Sequence, residues 1–177
     1  MIDLERIPPR SKDGNVYVLV EIPQGSQNKY ELNKELGVIT FDRALYSATH
    51  YPTEYGLVPG TRSSDGEMLD ALIMVERPTF SGCLTEMRLL GVLTISHTGG
   101  KEEDKLLGVP VREPRFEEYQ DLSDVPEHLL KEIENFFHVY KDLEGSEIGI
   151  DGWRDVEEAH SLLNEAISAF EREGAAA

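Results

Sequence analysis

Short apolar runs separated by turn residues fill the first part of the chain, and they predict β-strands. Residues 15–22, NVYVLVEI, place Val16, Val18, Val20 and Ile22 on one face of a strand. Further strands are predicted at residues 29–32, 38–43, 70–76, 84–96 and 105–111. A turn-like segment separates the first two of these, which therefore form a predicted hairpin or meander.

The spacing of the apolar residues changes from about Asp124 onward. There apolar side chains recur at helical spacing, which predicts a helix of about four turns that ends near Gly145. Asp124 and Glu127 have the spacing of a capping box at its start. A second helix is predicted at residues 155–173, with a buried face over residues 159–170.

These elements predict an α+β fold, a small twisted, OB-like five-stranded β-barrel packed against two long α-helices. With 177 residues, the chain is expected to form one domain over residues 1–177. No apolar run approaches the roughly 20 residues that a membrane-spanning helix needs, and the amino terminus lacks the apolar stretch of a signal peptide. The sequence therefore predicts a cytoplasmic protein. The single cysteine, Cys83, is expected to pack as a small core residue.

Acidic residues outnumber basic ones, and this imbalance bears on the expected partners. The chain has 34 Asp and Glu against 17 Lys and Arg, a formal net charge of −17. Such a surface repels polyanions, so DNA and RNA are not expected as partners. A small anion could still bind where metal cations and a few basic groups reverse the local charge. The composition therefore points first to divalent metal ions.

The densest acidic segment is residues 63–72, SSDGEMLDAL, which contains Asp65, Glu67 and Asp70. The glycine turn within it has to bend the chain if the three carboxylates are to converge. Converging carboxylates repel one another unless cations neutralise them, and oxygen-rich clusters suit Mg²⁺ or Mn²⁺. An exposed acidic turn is the alternative for this segment taken alone. A second acidic segment, KEEDK at residues 101–105, equally fits a solvated loop.

Basic and aromatic residues elsewhere could bind an anion. They are Lys29, Arg43, Tyr51, Tyr55, Tyr140 and Lys141. Lysine, arginine and tyrosine side chains can donate charge-assisted hydrogen bonds to phosphate oxygens. None of these residues is distinctive alone, and Tyr51 or Tyr55 equally fits a partly buried core position.

Five segments resemble, in order and spacing, the motifs of the soluble inorganic pyrophosphatases with the barrel fold. They are VEIPQGSQNKYEL, FDRALYSATHYPTEYGLVPGT, DGEMLDAL, KLLGVPV and HLLKEIENFFHVYKDLEG. The resemblance covers about residues 5–170, and the motifs together are far more specific than any one of them. It implies an enzyme, an inorganic diphosphatase, that hydrolyses pyrophosphate to two phosphates with Mg²⁺ or Mn²⁺ as cofactor.

The resemblance also implies roles for particular residues. The candidate metal ligands are Asp65, Asp70, Glu103, Glu21 and Glu31, the last two at the rim of the cavity. The candidate substrate-binding residues are Lys29, Arg43, Tyr55, Tyr140 and Lys141, with Tyr51 close by. Glu67 holds the position of the family aspartate that accepts a proton from the attacking water, and it is the candidate catalytic base.

Three positions depart from the family pattern, because Glu67, Thr98 and Glu103 stand where the family has aspartates. A glutamate keeps the charge but extends the carboxylate by roughly 1.5 Å, and a misplacement near 1 Å can reduce a rate on the order of 10²-fold. Thr98 carries no charge, although Glu102 or Asp104 could replace it if the loop shifts register. The departures predict a complete metal site at the DGEMLD motif, a weaker third site, and either reduced activity or a higher Mg²⁺ requirement.

Two other functions stand as alternatives. The chain could be a family member with weakened turnover that acts as a metal-dependent phosphate- or pyrophosphate-binding protein. An oligonucleotide-binding barrel is the other, although the sequence shows no basic and aromatic groove. The resemblance further suggests a homo-oligomer, most often a hexamer, in which His138 is either an interface residue or solvent-facing.

Overall fold

The structure, a computed structural model, describes residues 4–176. The strands are β1 (Val16–Ile22), β2 (Asn28–Asn33), β3 (Val38–Ala44), β4 (Glu54–Leu57), β5 (Asp70–Ile73), β6 (Leu84–His97), β7 (Glu102–Pro110) and β8 (Ile148–Arg154). The α-helices are α1 (Glu127–Val139) and α2 (Val156–Ala176). Short 3₁₀ helices occur at Leu4–Arg6, Pro114–Phe116, Leu122–Asp124 and Asp142–Glu144.

Five of the strands close into a ring. Their order is β1, β4, β5, β7 and β6, and β6 pairs again with β1. The pairs are antiparallel except that of β5 with β7, which run parallel with Asp70 beside Lys105. β8 extends the sheet along β6, while β2 and β3 form a separate hairpin. The predicted α+β fold with a five-stranded barrel and two helices is therefore confirmed.

The two helices cover different parts of the barrel. α1 packs along β8 and buries Ile133, Phe136 and Phe137 in one hydrophobic core. α2 packs along β6, and its Ala159 and Leu163 are fully buried in a second core. Burying a side chain the size of leucine or phenylalanine contributes about 1.5–3 kcal/mol. The apolar stripes of both predicted helices therefore hold them against the sheet.

The sequence pattern does not predict β4 and β8, and the local sequence of each strand explains why. β4 reads EYGL, which is too short to show an alternating pattern. β8 reads IGIDGWR, and its two glycines are more typical of turns than of strands.

In β1, a register shift between Val20 and Ile22 moves Ile22 into the core against α1. The prediction of one common face for all four β1 residues is therefore wrong at Ile22.

The predicted capping box is also wrong, because Asp124 belongs to the 3₁₀ helix that precedes α1. Asp121 and Asp124 cap that short helix reciprocally, whereas α1 follows Pro126 without a side-chain cap. α1 ends at Val139, and the stretch predicted to continue it is the 3₁₀ helix Asp142–Glu144. Gly145 ends that helix with a φ of 76°, a left-handed conformation that favours glycine.

Two further features bear on the sequence expectations. Cys83 is only partly buried, and it packs against the core beneath α2. Over residues 4–176, no helix combines the length and the apolar composition that crossing a membrane would require.

Two glycines allow the barrel strands to approach one another closely. A Cβ atom at Gly56 would lie 2.2 Å from the carbonyl oxygen of Leu19. A Cβ atom at Gly108 would lie 2.3 Å from the carbonyl oxygen of Arg88. Both contacts are with backbone atoms inside the closed ring, so the barrel has little room to relax.

We expect Gly108→Ala to lower the free energy of unfolding by about 1–3 kcal/mol, because the added methyl group has to displace backbone atoms. Gly174→Ala is the matched control, since no atom outside its own stretch of helix lies within 4 Å of its added methyl group. That control is expected to leave stability unchanged or to raise it by up to about 1 kcal/mol. Urea denaturation followed by tryptophan fluorescence measures both, and equal stabilities would contradict the close approach.

Candidate active site

One end of the barrel brings three strands together around a buried lysine. Asp70 opens β5 and lies beside Lys105 of β7. The Lys105 ammonium lies 2.7 Å from Asp70 Oδ2 and 3.2 Å from the hydroxyl oxygen of Tyr55 in β4. The Tyr55 hydroxyl in turn donates a hydrogen bond to Asp70. Tyr55 and Asp70 line the floor of a cavity of about 530 Å³, the main cavity, and the buried Lys105 contacts both of them.

Lys105 keeps its positive charge although its side chain is only 2% exposed. Burial alone would lower its pKa, but the carboxylates of Asp70 and Glu103 outweigh burial and raise the pKa of Lys105 above its usual value. Burial, and then the charge of Asp70, raise the pKa of Tyr55 well above its usual value, so its hydroxyl remains a donor. Because a buried charge without a partner is strongly destabilising, the three groups depend on one another.

The turn at residues 63–67 holds Asp65 at the edge of the main cavity. Gly66 has a φ of 86°, and the Ser63 N–H donates to the Glu67 carbonyl oxygen at 2.7 Å. The Asp65 carboxylate accepts hydrogen bonds from the Ser63 hydroxyl and the Glu67 N–H. Burial would raise its pKa, but these donors and Lys101 lower the pKa of Asp65 to about 2. Asp65 is thus an anchored, ionised carboxylate.

Glu103 is the acidic residue of β7 that faces the cavity floor. It lies two residues from Lys105, so both side chains are on the same side of the strand. The Glu103 carboxylate is 3.3 Å from the ammonium groups of both Lys105 and Lys101. It is also 3.1 Å from His97 Nε2, although that contact lacks the angle of a hydrogen bond. Burial would raise its pKa, but the charge of Lys105 and the contacts with His97 and Lys101 lower the pKa of Glu103 to about 2.

The side chains of Thr98 and Asp104 bond to other partners, although Glu102 and Asp104 are among the residues that line the main cavity. The Thr98 hydroxyl donates to the carbonyl oxygen of Glu147 at 3.2 Å. The Asp104 carboxylate accepts a hydrogen bond from Arg154 at 2.6 Å, between β7 and β8. The loop before β7 therefore keeps the register in which Glu103 faces Lys105 and Thr98 stands apart.

The main cavity is also lined by cations. Lys29 lies on β2, and Tyr140 and Lys141 directly follow α1. The Lys141 ammonium lies 5.3 Å from the centre of the Tyr140 ring. Burial, and then the positive charges of Arg43 and Lys29, lower the pKa of Lys141, although Glu103 acts in the opposite direction. An anion bound among these groups would offset their mutual repulsion.

The two cations of the β2–β3 hairpin, Lys29 and Arg43, already form ion pairs with carboxylates. Arg43 Nη2 and Nε lie 2.9 and 3.1 Å from the carboxylate oxygens of Glu144. Lys29 lies 3.3 Å from Asp42 and forms a second ion pair with Glu31. An anion could contact Lys29 or Arg43 only by displacing these carboxylates.

Glu21 and Glu31 lie in an adjoining cavity of about 360 Å³ that shares Lys29 and Asp70 with the main cavity. Glu21 is 8% exposed, and its Oε1 accepts the Leu32 N–H at 2.7 Å. Burial raises the pKa of Glu21 to about 7, despite the opposing effect of this hydrogen bond. Glu21 is therefore only partly ionised near neutral pH in the metal-free protein.

The main cavity brings together most of the residues predicted as site residues. It is lined by Lys29, Tyr55, Asp65, Glu67, Asp70, Glu103, Tyr140 and Lys141. Glu67 is largely exposed and pairs with Lys34 at 2.6 Å. Tyr51 lies instead in the core, 2% exposed, with its ring centre 5.8 Å from that of Tyr55. Tyr51 therefore packs against the ring of Tyr55 and does not line the cavity. Arg43 does not line the cavity either.

Sequence reasoning missed two residues that shape the site. Lys105 had a visible signal, because it stands at the start of the apolar run LLGVP, and a lysine is almost never buried unless paired. Arg62 had none. Its Nη1 donates to the Gly66 carbonyl oxygen at 2.6 Å, and its Nε lies 2.8 Å from Glu173 of α2. Arg62 thereby ties the acidic turn to a helix far away in sequence.

The donor set fits a hard divalent cation. Among the described residues, no three His, Cys, Asp or Glu side chains are already close enough to hold a metal ion. Lysines instead bridge the carboxylates in pairs, as Lys105 does between Asp70 and Glu103. Mg²⁺ is commonly bound by one or two carboxylates, with waters and substrate phosphates completing its shell. The fold and cavity thus define a barrel protein suited to hold divalent cations together with a small polyanion.

Comparison with known proteins agrees with that class. The profile of the inorganic pyrophosphatase family matches residues 18–171. An inorganic pyrophosphatase of Nostoc is 43% identical over 169 residues, which cover 96% of this chain and 99% of the relative. An inorganic pyrophosphatase of Geobacillus stearothermophilus is 46% identical over 155 residues, which cover 88% of this chain and 93% of the relative. The crystal structure of the Thermus thermophilus inorganic pyrophosphatase superposes with a TM-score of 0.90 at 35% identity, covering 95% and 98%.

The chain belongs to the inorganic pyrophosphatase family. The match spans the strands and helices that carry Lys29, Asp70, Lys105 and Tyr140. The resemblance read from the sequence motifs is therefore confirmed.

We expect the stability of the metal-free protein to fall as pH rises from about 5 to 8, in part through Glu21. Its pKa of about 7 in the folded protein exceeds the usual 4.5, so the folded state binds more protons than the unfolded state in this window. Glu21→Gln keeps an oxygen for the Leu32 N–H but cannot ionise. At 1.36 kcal/mol per pKa unit, the variant should lose up to about 3 kcal/mol of this pH dependence.

Urea denaturation in EDTA at pH 5 and pH 8 measures the effect. The exposed Glu35 provides a control in Glu35→Gln, which should keep the wild-type pH dependence. An unchanged pH dependence in Glu21→Gln would show that burial does not perturb this carboxyl group.

Proposed function

We propose that this chain hydrolyses inorganic pyrophosphate to two phosphates in the main cavity, as a single domain over residues 1–177. The observation that carries the proposal is the pairing, in one cavity, of anchored carboxylates with cations. Asp65, Asp70 and Glu103 supply the carboxylates, while Lys29 and Lys141 supply the cations. A diphosphate with its metal ions carries negative phosphates and positive ions. The lysines of this cavity complement the phosphates, and its carboxylates complement the ions.

Asp65 and Asp70 are the proposed ligands of the most strongly bound divalent ion, with Glu103 contributing to a weaker site. Both aspartates line the main cavity, and their side chains are 19% and 27% exposed, so water and ions reach them. When bound, divalent ions lower the pKa of a coordinated water and neutralise phosphate charge. Mg²⁺ is the proposed ion and Mn²⁺ the substitute, because both prefer carboxylate and water oxygens.

The basic residues hold the two phosphates. Lys141 and the Tyr140 hydroxyl reach the cavity from the end of α1, and Lys29 reaches it from β2. Tyr55 is held by Asp70 and Lys105, which fixes the position of its hydroxyl. As the bond to the bridging oxygen breaks, negative charge grows on the departing phosphate, and charge-assisted hydrogen bonds from these donors stabilise it.

Glu67 is the proposed base, which accepts a proton as water attacks phosphorus. Its backbone N–H is fixed by Asp65, but its side chain is 68% exposed and pairs with Lys34. A glutamate here reaches about one bond further than an aspartate would. The side chain therefore has to leave Lys34 and turn into the cavity, which supports the prediction of reduced activity or a higher Mg²⁺ requirement.

Assembly and location complete the proposal. We propose a cytoplasmic homo-oligomer, a hexamer by family resemblance, built near α1. His138 on α1 is exposed, and its Nδ1 lies 2.9 Å from the Ile148 carbonyl oxygen. Sedimentation of the full chain decides the oligomer size.

We expect Asp70→Asn to reduce phosphate release from magnesium pyrophosphate by at least about 10²-fold, because a neutral amide is a poor metal ligand and a poor partner for Lys105. Asp151→Asn is the control, since Asp151 is exposed and bonds only to Ser96 among the described side chains. Phosphate release is measured across a titration with MgCl₂ and MnCl₂. Tight pyrophosphate binding by the wild type without turnover at any metal concentration would instead support the binding-protein alternative.

We expect Lys141→Met to raise the KM for magnesium pyrophosphate about tenfold or more, because one charge-assisted contact with phosphate is lost. The exposed Lys12 provides a control in Lys12→Met, which removes the same charge away from the cavity. Steady-state kinetics measures both, and an unchanged KM in Lys141→Met would remove this residue from the phosphate site.

A further inference from the structure

Lys101 bridges two carboxylates at the edge of the main cavity. Its ammonium lies 3.1 Å from Asp65 Oδ2 and 3.3 Å from Glu103 Oε1. These carboxylates come from separate parts of the chain, the acidic turn and β7. A single positive charge therefore holds together two groups that would otherwise repel each other.

The turn that carries Lys101 presents its side chain to these carboxylates. The His97 N–H donates to the Lys101 carbonyl oxygen at 2.8 Å, and the Gly100 N–H donates to the His97 carbonyl oxygen at 2.9 Å. Gly99 and Gly100 adopt φ values of 103° and 83°, which allow this tight reversal. The backbone of Lys101 is thus fixed, whereas its four-carbon side chain is flexible and 54% exposed.

Two lysine ammonium groups and a histidine already lie beside the Glu103 carboxylate. Lys105 and Lys101 both lie 3.3 Å from its carboxylate, and His97 Nε2 lies 3.1 Å away. The Thr98 hydroxyl is engaged with the Glu147 carbonyl oxygen, so it adds no negative charge here. The lysines therefore already neutralise the carboxylate of Glu103, and a divalent ion that binds there has to compete with them.

We infer that Lys101 is a built-in competitor of a divalent ion for the space between Asp65 and Glu103. In the metal-free protein its ammonium neutralises the two carboxylates. A divalent ion that binds between them has to displace this ammonium, which then extends into solvent. Lys101 therefore raises the metal concentration at which an ion site that uses Asp65 and Glu103 fills. This inference rests on the proposed function, because it concerns the metal requirement of the same cavity.

The competition is moderate in size because the lysine is half exposed. An exposed ion pair changes an equilibrium by a few-fold, and Lys101 takes part in two such pairs. Removing the ammonium should therefore tighten the ion site that uses Asp65 and Glu103 by about three- to tenfold. Lys101→Arg keeps the charge and should retain the wild-type affinity within about twofold.

Isothermal titration of the metal-free full chain with MnCl₂, without substrate and at low ionic strength, tests the inference. Lys101→Met should bind one Mn²⁺ ion about three- to tenfold more tightly than the wild type. Lys131→Met is the matched control, because Lys131 pairs with Glu127 on the exposed face of α1 at 2.5 Å. That control should titrate like the wild type.

The melting temperatures of Lys101→Met and the wild type, compared in EDTA and in saturating MnCl₂, give a second readout. In EDTA, Lys101→Met should melt below the wild type, because Asp65 and Glu103 then repel each other. In saturating MnCl₂, the difference should vanish or reverse.

Equal Mn²⁺ affinities in the wild type and Lys101→Met, or an Arg variant that behaves like the Met variant, would overturn the inference. Failure of the proposed function would appear differently, as a wild type that releases no phosphate from pyrophosphate. The manganese titration decides the role of Lys101 in either case, since it does not depend on turnover.

Discussion

The site depends on one buried ion pair, that between Lys105 and Asp70. The parallel register of β5 and β7 places the two residues side by side, and the Tyr55 hydroxyl bonds to both. Because the Lys105 side chain is almost fully buried, it can neither leave nor lose its charge without a large cost. The closed barrel therefore fixes one carboxylate at the floor of the main cavity, and the flexible groups are arranged around it.

Charge balance explains how so acidic a protein can gather carboxylates in one place. Four carboxylates that line the main cavity have a lysine beside them: Lys105 lies beside Asp70 and Glu103, Lys101 beside Asp65, and Lys34 beside Glu67. Lysines thus occupy the places that divalent ions would take. The buried Lys105 cannot be displaced, whereas the exposed lysines can move away when ions bind. Under the proposed function, binding of divalent ions would exchange this tethered monovalent charge for divalent charge.

Much of the fold and the composition of the cavity could be predicted from the sequence. The apolar alternation of residues 15–22 and the helical stripe of α2 are local signals, and both elements are present in the structure. The short β4 and the glycine-containing β8 form through pairing with neighbouring strands, which no local pattern records. Similarly, the packing of Tyr51 against Phe136 and the ion pair of Arg62 with Glu173 join segments that are distant in sequence.

The coupling between Lys105 and Asp70 tests the central claim most directly. A double-mutant cycle with Lys105→Met, Asp70→Asn and the double variant, measured by urea denaturation in EDTA, isolates their interaction from other effects of each change. The account predicts a coupling free energy of about 1.5–3 kcal/mol, the upper range for residues in contact. A coupling within about 0.5 kcal/mol of zero would contradict it, because the pair could not then be what fixes the floor of the cavity.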